Sequence, residues 1–357
     1  MSNSSKKIDL LAMNQEKFKD YLKENNIKSF RAEQVFNWIY KNGIFNLKNM
    51  KNLPGPLIEK LENLAKIEKL KLLGKSEAKD GTIKYLWKLN DDETIESVYL
   101  PYYKKGRHSV CISTQVGCNM GCSFCATGLE GLKRNLTTSE IIAQVLQIQK
   151  DISDEDFLDP AISNVVFMGM GEPMNNLDNV LDSVNLLNLD STLNIGMRKM
   201  TISTVGVVPG IKELAVRNKQ IGLAVSLNAP NDSLRSKIMP VNNKYPLKSL
   251  IDSVKEYIEL TNRRVTFEYV MMDNVNDSPE YAYQLRRLIS DILCHVNLIP
   301  VNPVSELDVY RPSLEKIEKF KKILTDGNID TTIRQERGVE IEAACGQLKR
   351  EGENYGV

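Results

Sequence analysis

Three cysteines fall within eight residues, as Cys118-x3-Cys122-x2-Cys125, in a stretch that also holds Gly117 and Gly121. Three thiolates with no histidine nearby suit two kinds of centre. One is zinc completed by a fourth ligand from elsewhere; the other is an iron–sulfur cluster. The glycines let backbone amides approach a bound anionic centre. A structural zinc site wants closed four-ligand coordination, and the other cysteines, Cys111, Cys294 and Cys345, lie farther along the chain. A cubane cluster held by three cysteines leaves one iron open to a substrate.

The chain around this loop predicts an α/β protein. Residues from about 12 to 73 read as helical. Ser29 is expected to cap a segment at 30–40, whose Phe30, Val35, Phe36, Ile39 and Tyr40 share a face, with Gly43 as its stop. Pro54 and Pro56 open another pattern carrying Leu57, Ile58, Leu61 and Leu64. Alternation on both sides of Asn90-Asp91-Asp92 predicts a β-hairpin. From about residue 108 the pattern becomes strand, then helix, repeated. Strands are expected at 109–114, 164–168, 199–203, 222–227, 265–271 and 295–300. Helices are expected at 139–150, 177–189, 210–217, 247–260, 279–292 and 313–325. Thr137 and Glu140 have the spacing of a capping box.

Strand–helix repetition implies parallel strands with right-handed crossovers, and without a glycine-rich dinucleotide fingerprint it favours an open (βα)6 partial barrel over a doubly wound sheet. The expected organisation is an N-terminal helical domain at 1–75, a β-hairpin connector at 76–103, the barrel at 104–340 and a C-terminal segment at 341–357 that carries Cys345. Chemistry in such folds gathers at the carboxyl ends of strands. Those ends are polar here: Gln115-Val-Gly-Cys118, Gly169-Met-Gly-Glu-Pro173, Ser203-Thr204, Ser226-Leu-Asn228 and Asn302-Pro303.

With 42% hydrophobic and 26% charged residues in 357, the composition is that of a globular chain. No run approaches the roughly 18 apolar residues of a membrane span. The start, Met-Ser-Asn-Ser-Ser-Lys-Lys, lacks an apolar stretch after its charges, so a cytoplasmic protein is expected, with reduced thiols and no disulfide framework. The net charge is only +1, yet residues 1–75 hold 15 basic against 8 acidic side chains, which leaves the rest of the chain acidic. A basic module on an acidic body is either a solvated lysine-rich face or a docking site for a polyanion such as nucleic acid.

The triplet, with Phe124 before its last cysteine, resembles the radical S-adenosylmethionine (SAM) superfamily. Longer strings narrow the resemblance to the RlmN/Cfr RNA adenosine methyltransferases: Cys111-Ile-Ser-Thr-Gln-Val-Gly-Cys118, Gly169-Met-Gly-Glu-Pro173, Ser203-Thr204, Ala224-Val-Ser-Leu-Asn-Ala-Pro230, Ile299-Pro-Val-Asn302 and Ala343-Ala-Cys-Gly-Gln-Leu348. It runs from the Phe30-Arg-x-x-Gln34 helix to Leu348, and the last string is the most specific.

This resemblance implies a [4Fe-4S] cluster on Cys118, Cys122 and Cys125, and SAM as both methyl donor and radical source. An aromatic C–H carbon of adenine is a poor nucleophile, so a cofactor must carry the radical chemistry. In the implied scheme one SAM methylates a cysteine, and a second yields a 5′-deoxyadenosyl radical that takes a hydrogen from that methyl group. The carbon radical adds to adenine, and a second cysteine resolves the crosslink through a disulfide. Cys345 matches the methyl carrier, Cys111 the resolving cysteine and Glu96 the proton acceptor, which must then share a pocket with Cys345. Gly171, Glu172, Ser203, Ser226, Leu227, Asn228 and Asn302 match SAM-binding positions, with Glu172 suited to the methionyl ammonium. Asn228 stands where the family usually has histidine. Cys294 belongs to no such string and is expected in the core.

Implied partners are 23S ribosomal RNA, transfer RNA and an electron donor such as flavodoxin, with the chain a monomer. Lys104, Lys105, Arg107, Lys133 and Arg134 lie near the cysteine loop and are candidates for phosphate contacts on an RNA whose target base is flipped out. Of the two types within the family, Gly-Glu-Pro resembles the C2-methylating RlmN type more than the C8-methylating Cfr type, which remains the nearest alternative. A non-catalytic RNA-binding protein with a structural metal cluster is a reading of another class. A radical SAM enzyme that uses SAM only as a radical source would have no use for Cys111 and Cys345.

Overall fold

The structure is a computed structural model that describes residues 7–349 apart from 130, 155, 303, 305 and 306, so the outermost parts of the expected terminal segments and Pro303 lie outside the described residues. Near the N-terminus, β1 (Ile8–Asp9), α1 (Gln15–Glu24), α2 (Arg31–Tyr40), α3 (Gly55–Leu64) and β2 (Ala65–Lys66) form a helical layer. Asn14 caps α1 by accepting from the Lys17 amide at 2.8 Å. Ser29 does not cap α2 as expected. The helix begins after Phe30 with no side-chain cap, and the Ser29 carbonyl receives the Ala32 amide instead.

The helical reading fails after residue 64. The segment 71–77 contains Gly74 and lacks a helical apolar period, and it forms β3 (Lys71–Glu77). β3 pairs antiparallel with β4 (Ile83–Lys88), with a register shift between Leu72 and Gly74. β4 pairs with β5 (Thr94–Tyr102) across the expected turn. β5 then pairs antiparallel with β6 (Arg107–Cys111), so the hairpin extends the main sheet.

After β6 the chain forms a small antiparallel pair, β7 (Gln115–Gly117) and β8 (Leu132–Asn135), that brackets the cysteine loop and was not expected. The expected repeat follows: α4 (Thr138–Ile152), β9 (Asn164–Phe167), α5 (Leu177–Asn188), β10 (Met200–Thr204), α6 (Val208–Arg217), β11 (Gly222–Ser226), α7 (Asp232–Ile238), α8 (Leu247–Thr261), β12 (Val265–Met271), α9 (Pro279–Ile289), β13 (Cys294–Pro300), α10 (Leu314–Thr325) and β14 (Thr331–Ile333). The Thr137/Glu140 capping box opens α4. The short α7 and the three-residue β14 are additions to the predicted elements; both are too short to show a period.

One ten-stranded sheet runs β14-β13-β12-β11-β10-β9-β6-β5-β4-β3, parallel from β14 to β6 and antiparallel beyond. It is strongly curled. Arg337, just past β14, donates to the Pro101 carbonyl on β5 at 2.8 Å, although six strands separate β14 from β5 in the sheet order. The open partial barrel is therefore as expected, with a seventh parallel strand and an antiparallel arm. Helices cover its outer face, and buried residues such as Val110, Val165, Ile202, Val225, Phe267 and Leu298 fill the sheet.

The N-terminal layer shares that core. Leu10 and Leu11 are buried in it, and the Gln147 side chain on α4 bonds both the amide and the carbonyl of Leu70, at 2.6 and 2.8 Å. Among the described residues no helix is long and apolar enough to cross a membrane.

Candidate active site

The cysteine loop is built on a tight hairpin. Gly117 ends β7 with φ +73°, and a Cβ placed there would lie 1.9 Å from the Gly131 carbonyl oxygen. Only glycine fits. The Cys118 amide then donates to that same carbonyl at 3.1 Å, and the Ser123 amide reaches Ile238 at the end of α7 at 3.0 Å. The loop is fixed from both sides.

Burial pushes all three thiols up, Cys118 to about 12, with Cys125 adding to the effect on Cys118 and Cys122. Buried thiols of this kind hold their protons until a cationic centre displaces them. Among the described residues no three His, Cys, Asp or Glu side chains converge tightly enough for a single ion. Cys122 and Cys125 line one cavity, and Cys118 sits behind them in the same loop without lining it.

That cavity lies at the carboxyl ends of the parallel strands. Cys122 and Cys125 line it, with Gly171 and Glu172 after β9, Ser203 on β10, Ser226 on β11 and Asn302 after β13. Five of the seven expected SAM positions thus face one space. Glu172 accepts from the Met174 amide at 3.0 Å and the Val205 amide at 2.8 Å, so its carboxyl is aimed. Burial lifts it to about 7 despite those bonds. A buried carboxyl in that condition is a natural seat for an ammonium group, whose charge would restore ionisation. Asn302 Oδ1 is buried with no donor among the described residues, which leaves an acceptor open to a ligand. These features fit an amino-acid-bearing cofactor beside a thiolate-held cluster.

The other two expected positions do not line the cavity. Leu227 is fully buried, and its carbonyl accepts from Arg235 Nε at 3.0 Å. Asn228 adopts φ +56°, a left-handed conformation that asparagine tolerates well. Its Oδ1 accepts from the Val270 amide at 2.8 Å and its Nδ2 points to the Met239 sulfur, so the side chain ties strands together.

A second cavity shares a wall with the first. Cys345, Cys125, Met168, Gly169, Asn302 and Arg334 line both, and Cys111 lines the second. Cys345 rides on a segment without regular structure. It is held by Asn302 Nδ2 to the Cys345 carbonyl at 3.1 Å, the Ala126 amide to the Gly346 carbonyl at 2.8 Å and Thr127 Oγ1 to the Leu348 carbonyl at 2.5 Å. Both Cys111 and Cys345 are free thiols here. Burial pushes Cys111 up to about 12, with Cys345 adding to the effect.

Glu96 is fully buried on β5 and lines neither cavity. Its carboxylate pairs with Lys84 at 3.0 Å and accepts the Lys349 amide at 2.9 Å, so it grips the chain four residues after Cys345. Of the five expected phosphate contacts, Arg134 is engaged elsewhere, bidentate to Glu140 at 2.8 and 2.9 Å and bonded to Asp91 at 2.6 Å. Cys294 is half-buried on β13, away from both cavities.

Sequence reasoning missed three charged groups. Arg334 lines both cavities, and the neighbouring thiol of Cys345, then the Glu268 carboxyl, hold its guanidinium protonated despite burial. Glu268 lies in the otherwise apolar strand Val265–Met271, an anomaly that signals a site. Arg235 is fully buried on α7 and donates to the carbonyls of Val205, Ser226 and Leu227, which fixes the ends of β10 and β11. No pattern marked α7 as a helix, so its arginine carried no signal.

Comparison with known proteins agrees with this geometry. Residues 8–67 match the Ribosomal RNA large subunit methyltransferase N-terminal domain, and residues 112–285 match the Radical SAM superfamily. A probable dual-specificity RNA methyltransferase RlmN from Clostridium novyi (strain NT) is 46% identical over 343 residues, covering 96% of this chain and 98% of the relative. One from Desulforamulus reducens is 43% identical over 353 residues, covering 99% of each. The crystal structure of a radical SAM methyltransferase from Sphaerobacter thermophilus superposes with a TM-score of 0.91 at 42% identity, covering 96% of this chain and 99% of that one. With the cysteine loop, the strand-end cavity and the C-terminal Cys345 segment in their expected relation, the chain belongs to the RlmN family of radical SAM RNA methyltransferases.

Proposed function

We propose that the chain methylates the C2 carbon of adenosine in 23S ribosomal RNA and in transfer RNA, with Cys345 as the methyl carrier. The observation that carries this reading is that Cys345 lines both cavities, one beside Cys122, Glu172 and Asn302, the other beside Cys111. A thiol in that wall can take a methyl group on one side and meet a nucleobase and a resolving thiol on the other. An enzyme that used SAM only to make a radical would need neither thiol.

Cys118, Cys122 and Cys125 would hold a [4Fe-4S] cluster, and Glu172, Gly171, Ser203, Ser226 and Asn302 would hold SAM. When bound, these groups supply an activated methyl group and, with an electron from a donor such as flavodoxin, a carbon-centred radical. The residues of the chain do the rest. Glu172 receives the ammonium, and Asn302 orients both the ligand and, through its Nδ2, the Cys345 backbone. Arg334 offers a fixed positive charge beside Cys345 and Cys111. Cys111 would then close a disulfide with Cys345 to release product, which requires their α-carbons to come within about 7 Å. Glu96 reads as a clamp on the Cys345 segment in the resting chain. To accept a proton from the target carbon it must exchange its Lys349 contact for the substrate.

The basic N-terminal layer is assigned to RNA docking, in a monomer, with exposed Lys17, Lys28 and Lys51 as its contacts. Its shared core and β3 make deletion of residues 1–75 a poor test; glutamate substitutions at those lysines remove the charge and spare the packing.

Anaerobic turnover of the reconstituted chain with SAM, reductant and unmodified ribosomal RNA, followed by nucleoside mass spectrometry, tests the function. 2-Methyladenosine is the expected product. 8-Methyladenosine would overturn the regiochemistry, and 5′-deoxyadenosine without either methyladenosine would overturn the RNA assignment.

A further inference from the structure

The Cys111–Cys345 cavity is lined on one side by Tyr102, Gln335, Glu336 and Arg337, and Gln335 is exposed, so this side is its mouth. Two arginines converge on one aromatic ring there. The guanidinium carbon of Arg107 lies 4.0 Å from the Tyr102 ring centroid and that of Arg337 lies 4.4 Å from it. They reach it from distant parts of the chain: Arg107 opens β6, and Arg337 follows β14. Arg337 also donates to the Pro101 carbonyl at 2.8 Å, and Asp80 stands 3.8 Å from it, at the edge of ion-pair range.

Two like charges on one ring repel, and the attraction of each for the ring offsets this only in part. The Nε–H groups of both arginines are also buried without an acceptor among the described residues. An unmet donor of this kind is costly unless something outside the chain meets it. The ring bears two guanidiniums, so a stacked base is not its ligand. Arginine forks present planar, directed donors, and the anion that matches them is a phosphate. Arg334, deeper in the same cavity, continues the positive potential inward. At the rim, Tyr103 is 68% exposed beside Lys104 and Lys105.

We propose that Arg107, Tyr102 and Arg337 form a subsite for the RNA phosphodiester adjoining the target nucleotide, gripping the backbone while the base enters the cavity. The inference rests on the reading of the chain as an RNA methyltransferase. It adds where the substrate backbone sits and which residues read it. Arg107 and Arg337 supply the charge, and Tyr102 holds their planes in place.

The test is equilibrium binding of an unmodified 23S ribosomal RNA transcript to the full chain, from about 50 to 500 mM salt, for wild type, R107Q, R107K and R337Q. Each glutamine variant is expected to bind roughly five- to eightfold more weakly at 0.1 M salt, and the slope of log affinity against log salt should shrink by about 0.7 to 0.9. R107K should recover the slope and only part of the affinity, because it restores a charge without the planar fork. Arg337 bonds the backbone and its loss could unfold the mouth, so R107Q, checked by circular dichroism and melting, decides alone. A folded R107Q with wild-type affinity and slope overturns the subsite. Nucleoside analysis of the wild type judges the methyltransferase reading separately, so failure of one is distinguishable from failure of the other.

Discussion

The two segments that carry the working cysteines are held by different forces. The 118–125 loop is part of a backbone hairpin, with β7 and β8 paired on either side and a glycine at Gly117 that admits no side chain. The segment at 343–349 has no ladder. It is fastened by separate bonds from three parts of the chain: Ala126 and Thr127 beside the cysteine loop, Asn302 and Glu96. Cluster ligands must stay in place through every turnover. On the proposed function, a thiol methylated on one side of a wall and oxidised against Cys111 on the other would have to move. The backbone ladder suits the first duty, and bonds that can be released one at a time suit the second.

The largest expected effect separates these duties. If Cys122 is a cluster ligand as proposed, Cys122→Ala should abolish iron retention after reconstitution and, with it, all SAM cleavage. Cys345→Ala should keep the iron and still form 5′-deoxyadenosine, while RNA methylation falls more than roughly a thousandfold. Iron assay and nucleoside mass spectrometry on both variants check this. Iron loss in Cys345→Ala would mean that the two segments are one structural unit and would break the comparison.

Next come the glycines. Gly117→Ala must displace the Gly131 carbonyl or abandon φ +73°, at a cost of about 3 kcal/mol or more. Gly346→Ala has φ +84° but a nearest neighbour at 3.1 Å, so it bears mainly conformational strain, about 1–2 kcal/mol. Urea midpoints and reconstituted iron content should rank the two in that order. Equal losses would show that the C-terminal segment is as rigidly built as the loop.

How much of this could be read from the chain beforehand follows the same division. Backbone-driven features have local signals: the six strand–helix repeats, the Thr137 capping box and the cysteine triplet with its glycines were all legible. The cavity-facing residues of the strand ends were legible too, because polar residues there break an apolar run. What escaped depends on tertiary packing. β14 has three residues and no period, so Arg334 behind it went unnoticed. Asn228 was expected at a SAM-binding position from the family resemblance, yet it has a positive φ and its side chain serves as a strand tie. Arg134 looked like a free surface charge until Asp91 and Glu140 were brought beside it.

A third prediction concerns the carboxyl on the rigid side. Burial raises Glu172 to about 7 from 4.5 in the ligand-free chain, so the folded state binds more protons than the unfolded state between those values. Stability contributed at this site should therefore fall as pH rises through that window, by on the order of 2 kcal/mol. Glu172→Gln should flatten that part of the profile in cluster-free protein. SAM should flatten it as well, since its ammonium favours the carboxylate. A Glu172→Gln profile that overlays the wild type would remove the case for a strained carboxyl.

The smallest effect is the most specific to the C-terminal segment. Thr127 joins the two regions: it lies two residues after Cys125 in the loop's final turn, and its hydroxyl donates to the Leu348 carbonyl. Thr127→Val keeps the shape and deletes that donor, leaving a buried carbonyl unmet at a cost of about 1 kcal/mol. If the C-terminal segment opens as a local unit, nearly all of that cost falls on its own opening equilibrium. Amide hydrogen exchange in 343–349 should then quicken roughly fivefold, while exchange in β7, β8 and the parallel strands stays as it was. Faster exchange throughout the cysteine loop would mean that the segment cannot loosen without the cluster site, and the division of labour between the two regions would fail.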